Sequence, residues 1–386
     1  MLVAHPSAEL YGSDRMLEES VTGLVEEGLD VLVALPERGP LVPRLEAAGA
    51  RVVVLPVPVV RKSALRPSGA LRLVRTALRG VLAGGSLLRG TRPAVLYVST
   101  QVVPLWPVLG RLFGVPVVAH VHEAESAAPR LLQRALAAPL LLSRRLLVNS
   151  AFADEVLAAA LPRLSGRSVV VPNGVAGPPA PPSPPDGSPR VRLLYVGRLS
   201  ERKGVLVAVA AAAELVRRGE DVHLDLVGDV YEGHDGFAAR LDAALADPLL
   251  AGRTTRHGFR REVWPHLAAC DVLLVPSLLP EPFGNTAVEG VLAGRPVVAS
   301  ASGGLPEALS GCRSARLVRP GDPSALAHGV QDVLADRAGT ARQALDDAAL
   351  LAARHDPARY RAAVAAAARA AAGSGTGAPA TSGAAA

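Results

Sequence analysis

Short, continuous apolar runs separated by helix-length stretches most constrain what this chain can fold into. Such runs occupy residues 2–5, 31–35, 52–55, 95–98, 115–121, 146–148 and 169–171. Strands of a parallel sheet read this way, because helical crossovers cover both faces and every side chain is buried. The rhythm stops at residues 172–189, Pro-Asn-Gly-Val-Ala-Gly-Pro-Pro-Ala-Pro-Pro-Ser-Pro-Pro-Asp-Gly-Ser-Pro. Neither a ladder nor a helix can run through it, since proline removes a donor and restricts its predecessor. Beyond it, apolar runs resume at 191–196, 222–227, 272–275, 296–300 and 315–318, with helical stretches at 205–218 and 323–334. The expected plan is two α/β domains, 1–172 and 190–352, joined by a linker over 173–189. A helix over 353–372 comes next, then a tail over 373–386 too poor in apolar residues to offset chain entropy.

Composition narrows the class. The chain has 386 residues, 49% of them hydrophobic, enough for two ordinary cores, and with 3% aromatics those cores must be aliphatic. Cys270 and Cys312 show neither disulfide nor zinc spacing, which fits a reducing compartment. No run approaches the ~18 apolar residues of a spanning helix. The opening Met1-Leu2-Val3-Ala4 lacks a charged region and cleavage site, so a cytoplasmic location is expected. The net charge of +6 comes without a basic arm or basic residues interleaved with aromatics, which argues against nucleic acid. A nucleotide diphosphate and an anionic membrane remain as anionic partners.

The most specific string is Glu281-Pro-Phe-Gly-Asn-Thr-Ala-Val-Glu289, ending in Gly-Arg-Pro and an apolar run. Pro282 and Gly284 keep the first part out of helix, and Asn285 or Thr286 can cap the helix after it, so backbone N–H groups of a helix start are free for an anion. Glu289, one turn in, suits a ribose diol, and Glu281 suits the group attached to the phosphate. Taken singly, each glutamate reads as well as a solvated or capping residue; the whole string is what carries the signal. A second string, Tyr195-Val-Gly-Arg198-Leu-Ser-Glu-Arg-Lys203-Gly204, leaves the carboxyl end of a strand, where an α/β sheet places its ligand crevice. Lys62 and Lys203 are the only lysines among 41 basic residues. A compact ammonium at Lys203 therefore points to a specific task.

These strings resemble the group-1 (family 4 type) retaining glycosyltransferases, and the resemblance runs from Pro6 to the helix before the tail. It implies the GT-B fold, two Rossmann-like parallel-sheet domains facing a central cleft, with the C-terminal helix crossing back to the first. It further implies that Arg198 and Lys203 bind the donor diphosphate and that Glu281 and Glu289 are the family's paired glutamates, the second contacting ribose. The backbone of Phe283, Gly284, Asn285 and Thr286 would hold sugar hydroxyls and phosphate. His257-Gly258-Phe259 matches the turn whose backbone meets the base. Gly12 and Ser13 match the glycine-rich loop after the first strand, although Ser13 stands where a second glycine is common. Asn173-Gly174-Val175 matches the interdomain crossing, with Ala176 where an aspartate is usual. His122 would touch the donor sugar; a histidine merely packed at a strand end is the competing reading. The implied activity is glycosyl transfer from a nucleoside-diphosphate sugar to a sugar, lipid-linked or small-molecule acceptor.

No metal or other cofactor is expected. The chain has no Asp-x-Asp motif, His120-Val-His122 supplies two ligands at most, and the cysteines lie far away. A dehydrogenase is disfavoured because G-x-G-x-x-G is missing after the first strand. An epimerase or sugar-phosphate synthase of similar build and a non-catalytic sugar-nucleotide sensor are the remaining alternatives. One further stretch, residues 66–89, sets Arg72, Arg75 and Arg79 at helical spacing beside Leu71, Val74, Leu78 and Leu82, with Arg61 and Lys62 upstream. Two readings stay open: a helix docking peripherally on an anionic membrane at the inner face of the plasma membrane, or aliphatics in the core beneath a solvated basic face.

Overall fold

A computed structural model describes residues 1–56, 58–60, 67–185, 187–231 and 233–373, and within 67–74 only the backbone. Of the sequence expectations, Arg61, Lys62, Arg66, the side chains of Leu71, Arg72 and Val74, and the tail beyond Gly373 lie outside the described residues.

The chain opens with β1 (Leu2–Ala4), α1 (Gly12–Glu26), β2 (Leu32–Leu35), α2 (Val42–Ala47), β3 (Arg51–Val54) and α3 (Pro67–Thr91). It continues with β4 (Leu96–Val98), α4 (Leu105–Leu112), β5 (Val117–Val121), α5 (Arg130–Ala137), β6 (Arg145–Val148), α6 (Ala151–Ala160) and β7 (Ser168–Val170). After the proline tract come β8 (Val191–Val196), α7 (Val205–Arg217), β9 (Val222–Val227), α8 (Asp235–Leu245), β10 (Thr254–Gly258), α9 (Trp264–Ala269) and β11 (Val272–Val275). The last elements are α10 (Asn285–Leu292), β12 (Val297–Ser300), α11 (Leu305–Ala308), β13 (Arg316–Val318), α12 (Pro323–Leu334), α13 (Arg337–Arg354) and α14 (Pro357–Gly373).

Two compact units result: one of 1–149, 153–174 and the chain from residue 358 onward, the other of 150–152 and 175–357. The first holds a seven-stranded sheet in the order β3-β2-β1-β4-β5-β6-β7. The second holds a six-stranded sheet in the order β10-β9-β8-β11-β12-β13. All pairings are parallel. In each sheet the strand order reverses once, between β1 and β4 and between β8 and β11. Connections leave the sheet in opposite directions there and open a crevice at the carboxyl ends.

In the first unit, alternate residues of the strands feed two layers. Val3, Val33, Leu35 and Tyr97 pack with α1, α2 and the α14 residues Tyr360, Val364, Ala365 and Ala368. Leu2, Ala4, Leu96 and Val98 pack with Leu88 of α3 and Trp106 and Leu109 of α4. A side chain at Gly23 would meet Arg361 Cβ at 2.5 Å, so this glycine lets α14 lie close on α1. On α3, Leu78 is 63% and Leu82 75% exposed, so those two leucines do not face the core as the second reading required.

Three sequence expectations change. The proline tract is not an independent linker: from Val175 on it belongs to the second unit, held where Arg295 donates to Ser183 O at 2.7 Å and Arg337 to Ser188 O at 2.6 Å. β10 was missed because Thr-Thr-Arg-His-Gly is an edge strand, half-buried and polar. His257 and Gly258, taken as a turn, close that strand. Gly12 and Ser13, taken as a loop, are the first residues of α1, because Asp14 Oδ2 accepts from Tyr11 N at 2.8 Å and starts the helix there.

Candidate active site

In the second unit the loops leaving β8 and β11 meet at the strand-order reversal. Gly204, at φ 71°, precedes α7, and any side chain there would meet Pro276 O at 1.9 Å. This contact, open only to glycine, sets the Lys203 loop against the segment that follows β11. Tyr195, buried at the end of β8, donates its hydroxyl to Arg198 O at 2.8 Å, with Lys203 O at 3.4 Å, and so holds both ends of the loop.

Lys203 and Glu281 are thereby brought together. Lys203 Nζ donates to Glu281 Oε1 at 2.6 Å and Oε2 at 2.7 Å, and Ser277 Oγ donates to Oε1 at 2.5 Å. Burial pushes the Glu281 carboxyl up, but the Lys203 charge and these hydrogen bonds outweigh it and leave the pKa below the ordinary value. The Lys203 side chain remains 33% exposed while that of Glu281 is 8% exposed. An ammonium has three donors and the carboxylate takes two, which leaves one directed elsewhere. Arg198 lies beside this pair in sequence, its guanidinium 3.8 Å over the Tyr231 ring and donating to the Tyr231 hydroxyl.

The cap of α10 is Gly284, at φ 113°, with no side-chain cap, whereas Asn285 or Thr286 was expected to fill that role. The left-handed backbone at Gly284 makes Asn285 the first helical residue instead. Leu305 packs where a Gly284 side chain would stand, 2.6 Å away. Phe283 is 3% exposed, in the apolar core and edge-on to His355, so its side chain is closed to a ligand. Glu289, one turn into α10, is 8% exposed.

At the far side of the same edge, Gly258 O accepts from Gly228 N at 2.9 Å and Phe259 N donates to Asp229 Oδ2 at 2.8 Å. The Phe259 side chain is half exposed. The backbone groups assigned to the base thus serve the turn as well.

The reversal in the first unit carries its own polar set. His5, just past β1, has Nε2 2.8 Å from Asp14 Oδ1 and Nδ1 2.5 Å from Ser99 Oγ, past β4. His122, just past β5, is buried, and desolvation with the nearby His5 lowers its pKa to about 3, so its imidazole is neutral at physiological pH. Its ring nitrogens make no hydrogen bond of ordinary geometry, although the Asn173 amide is near enough to favour the protonated form slightly. Stacked 4.1 Å from it is the His120 ring, whose Nδ1 lies 2.7 Å from Tyr97 Oη. Glu123, the next residue, accepts from the Thr100 hydroxyl and from Gln101 N at 3.4 Å. Burial pushes its carboxyl up to about 7. His5, Asp14, Ser99, Thr100 and Glu123 escaped the sequence reading. All but Asp14 fall within two residues of the end of an apolar run, and that position alone would have flagged them.

Among the described residues no group of three or more His, Cys, Asp or Glu could hold a metal ion, and no helix is long and apolar enough to cross a membrane.

Comparison with known proteins bears on this geometry. A model described as "Glycosyl transferases group 1" matches residues 190–336, and one described as "Glycosyltransferase Family 4" matches residues 11–176. A 2-deoxystreptamine glucosyltransferase of Streptomyces kanamyceticus is 38% identical over 157 residues, 40% of this chain and 38% of the relative. A 2-deoxystreptamine N-acetyl-D-glucosaminyltransferase of Streptomyces fradiae is 29% identical over 323 residues, 76% of this chain and 75% of the relative. The matched part of the chain spans about two fifths of the length of the first of these relatives. The solved structure of HepE from Anabaena in complex with UDP and glucose superposes with a TM-score of 0.79 at 22% identity, covering 95% of this chain and 98% of that one.

Proposed function

The chain belongs to the group-1 glycosyltransferases and has the GT-B fold of two parallel-sheet α/β units, and on that premise we propose that it moves a sugar from a nucleoside-diphosphate donor to an acceptor hydroxyl with retention of anomeric configuration. The observation that carries this reading is the Lys203–Glu281 pair at the strand-order reversal of the second unit, with Arg198 and the start of α10 on the same carboxyl edge. The HepE structure, described as a complex with UDP and glucose, supports a nucleotide-sugar donor.

In this reading Arg198, the free donor of Lys203 and the amides from Gly284 to Thr286 receive the diphosphate. Charge grows on the departing phosphate oxygen as the bond to the anomeric carbon breaks. Fixed cations and a helix start lower that barrier without reorganising. The acceptor oxygen bonds to the anomeric carbon on the face the phosphate leaves, and the acceptor proton passes to the phosphate. No separate proton donor and no metal ion is required. Glu289 takes the ribose diol, and the backbone of Gly258 and Phe259 takes the base. Glu281 orients Lys203 and meets the donor sugar. In the first unit the amides of Gly12 and Ser13, at the start of α1, suit phosphate, and His122 meets the sugar as a neutral imidazole that both donates and accepts.

The test is a panel of UDP- and GDP-sugars scored for protection against thermal unfolding, followed by transfer assays with acceptors that include 2-deoxystreptamine. A donor that raises the melting temperature and is consumed only with acceptor supports the reading. Protection without turnover makes the chain a sensor, and release of nucleotide without a glycosylated product points to an epimerase.

A further inference from the structure

We propose that the outer face of α3, with the end of α4 beside it, docks on an anionic lipid surface. The argument begins with where the charge sits. Residues 47–122 contain ten Arg or Lys and no Asp or Glu. Of the chain's 41 basic and 35 acidic residues, the remainder holds 31 and 35, so the net positive charge arises in this one segment.

The fold then shows which way that segment faces. On α3, Gly80, Gly84 and Gly85 form the inner side: side chains there would meet Pro56 O at 2.8 Å, Leu109 Cδ1 at 2.8 Å and Phe113 Cζ at 3.1 Å. Close approach to α4 through these glycines, with Leu88 2% exposed, satisfies the helix's need for burial. At about 100° per residue, Arg75, Leu78, Arg79, Leu82 and Arg89 fall within an arc of about 100° on the other side. Leu78 is 63% and Leu82 75% exposed between exposed arginines. The neighbouring α4 ends with Leu112 71% exposed beside exposed Arg111, and Arg89 lies 4.9 Å over the Phe113 ring that comes after it.

Aliphatic side chains standing clear of the core, flanked by cations and by no acid, match the chemistry of an interfacial helix: leucines enter the acyl boundary while guanidinium groups meet phosphate headgroups. A nucleic acid would leave the leucines without a partner. No described helix can span a bilayer, so the contact is peripheral. None of these residues belongs to the donor site, and the inference stands whether or not the donor assignment does.

Sedimentation with vesicles decides it. The full chain should pellet with phosphatidylcholine vesicles containing about 40% phosphatidylglycerol, stay in solution with phosphatidylcholine alone, and be released by salt within the range that screens surface charge. Arg75→Glu/Arg79→Glu should weaken binding by about tenfold or more. Leu78→Ser/Leu82→Ser should also weaken it several-fold while leaving adsorption to a soluble polyanion such as heparin unchanged. Because these side chains are exposed, both variants should keep the wild-type thermal midpoint, which verifies folding. The proposal is overturned if the wild-type chain remains in the supernatant at low salt, or if the leucine variant binds vesicles as well as wild type.

Discussion

Lys203 Nζ sits 2.6 and 2.7 Å from the two carboxylate oxygens of Glu281, a residue 78 positions further along the chain. The pair joins the loop after β8 to the segment after β11, so the cation assigned to the donor also holds the site's geometry. The carboxylate is buried and the ammonium is one-third exposed. Removing the cation leaves an uncompensated buried charge, whereas removing the carboxylate leaves a lysine that can still reach solvent.

Lys203→Met should therefore destabilise the fold by about 2 kcal/mol, less than the 3–5 kcal/mol of a fully buried pair, and Glu281→Gln by less. The Glu281 pKa is lowered on folding, so the pair's contribution is present above the ordinary carboxylate range and is lost as pH falls through the lowered value. Denaturant melts at pH 7 and pH 3 test this: the wild-type advantage over Lys203→Met should shrink in acid. An advantage unchanged by pH would mean that Glu281 does not carry it.

Arg198 and Glu289 should separate kinetically. Charge on the leaving phosphate grows toward the transition state, so Arg198→Ala should lower kcat by about a hundredfold or more with a modest change in KM. Hydrogen bonds to ribose are the same in ground and transition states. Glu289→Ala should accordingly raise the donor KM by about ten- to a hundredfold with kcat largely kept. If Arg198 and Lys203 meet the diphosphate as proposed, the wild-type enzyme should keep its activity in excess EDTA. Wild-type kinetics in both variants would remove these residues from the site, and activity restored only by a divalent ion would replace the cationic mechanism.

How far the sequence carried these conclusions depends on how local the signal is. The apolar run at 272–275 coincides with β11, because a strand buried on both faces announces itself residue by residue. β10 did not, since its edge position allows Thr254, Thr255 and Arg256. Glu281 and Lys203 each stood out within their own strings. Their pairing was not, because it depends on β8 lying next to β11 and on Gly204 lying against Pro276, and neither is written in either string. The start of α1 at Gly12 was hidden for the opposite reason: the match to a glycine-rich loop suggested a loop, and the Asp14 carboxylate reaching back to Tyr11 starts the helix there.

Arg295 shows a motif residue whose task is structural. It is 1% exposed, and its guanidinium donates to Leu267 O at 2.8 Å, Ala268 O at 2.6 Å and Ser183 O at 2.7 Å. A planar fork satisfies three carbonyls in different directions, which an ammonium on a flexible stem cannot match. Arg295→Lys should cost about 2 kcal/mol and Arg295→Ala about 3–5 kcal/mol, measured by urea unfolding. Proteolysis should then begin within residues 175–185, the part of the proline tract that Ser183 anchors. An Arg295→Lys chain as stable as wild type would show that charge alone, without the fork, suffices.

The last prediction concerns Glu123, whose carboxyl is shifted by burial from its ordinary 4.5 to about 7, against smaller opposing pulls from Thr100 and Gln101. Between those two values the folded chain retains a proton that the unfolded chain has already released. The folded state binds more protons there, so stability declines as pH rises from about 4.5 to about 7 and then levels off. The side chain keeps some solvent access, which reduces the full shift to about 1–2 kcal/mol of lost stability. Glu123→Gln keeps the shape and an acceptor for Thr100 but cannot ionise. Its stability relative to wild type should thus rise by that amount between pH 5 and pH 7.5, read from chemical denaturation at each pH. The buried neutral imidazoles of His120 and His122 act in the opposite sense, losing stability as pH falls below the ordinary histidine range of 6.5, and they are common to both proteins. The difference between the two curves therefore isolates the carboxyl. If the curves run parallel across this range, Glu123 is ionised throughout and its proton has no part in the chemistry of the first unit.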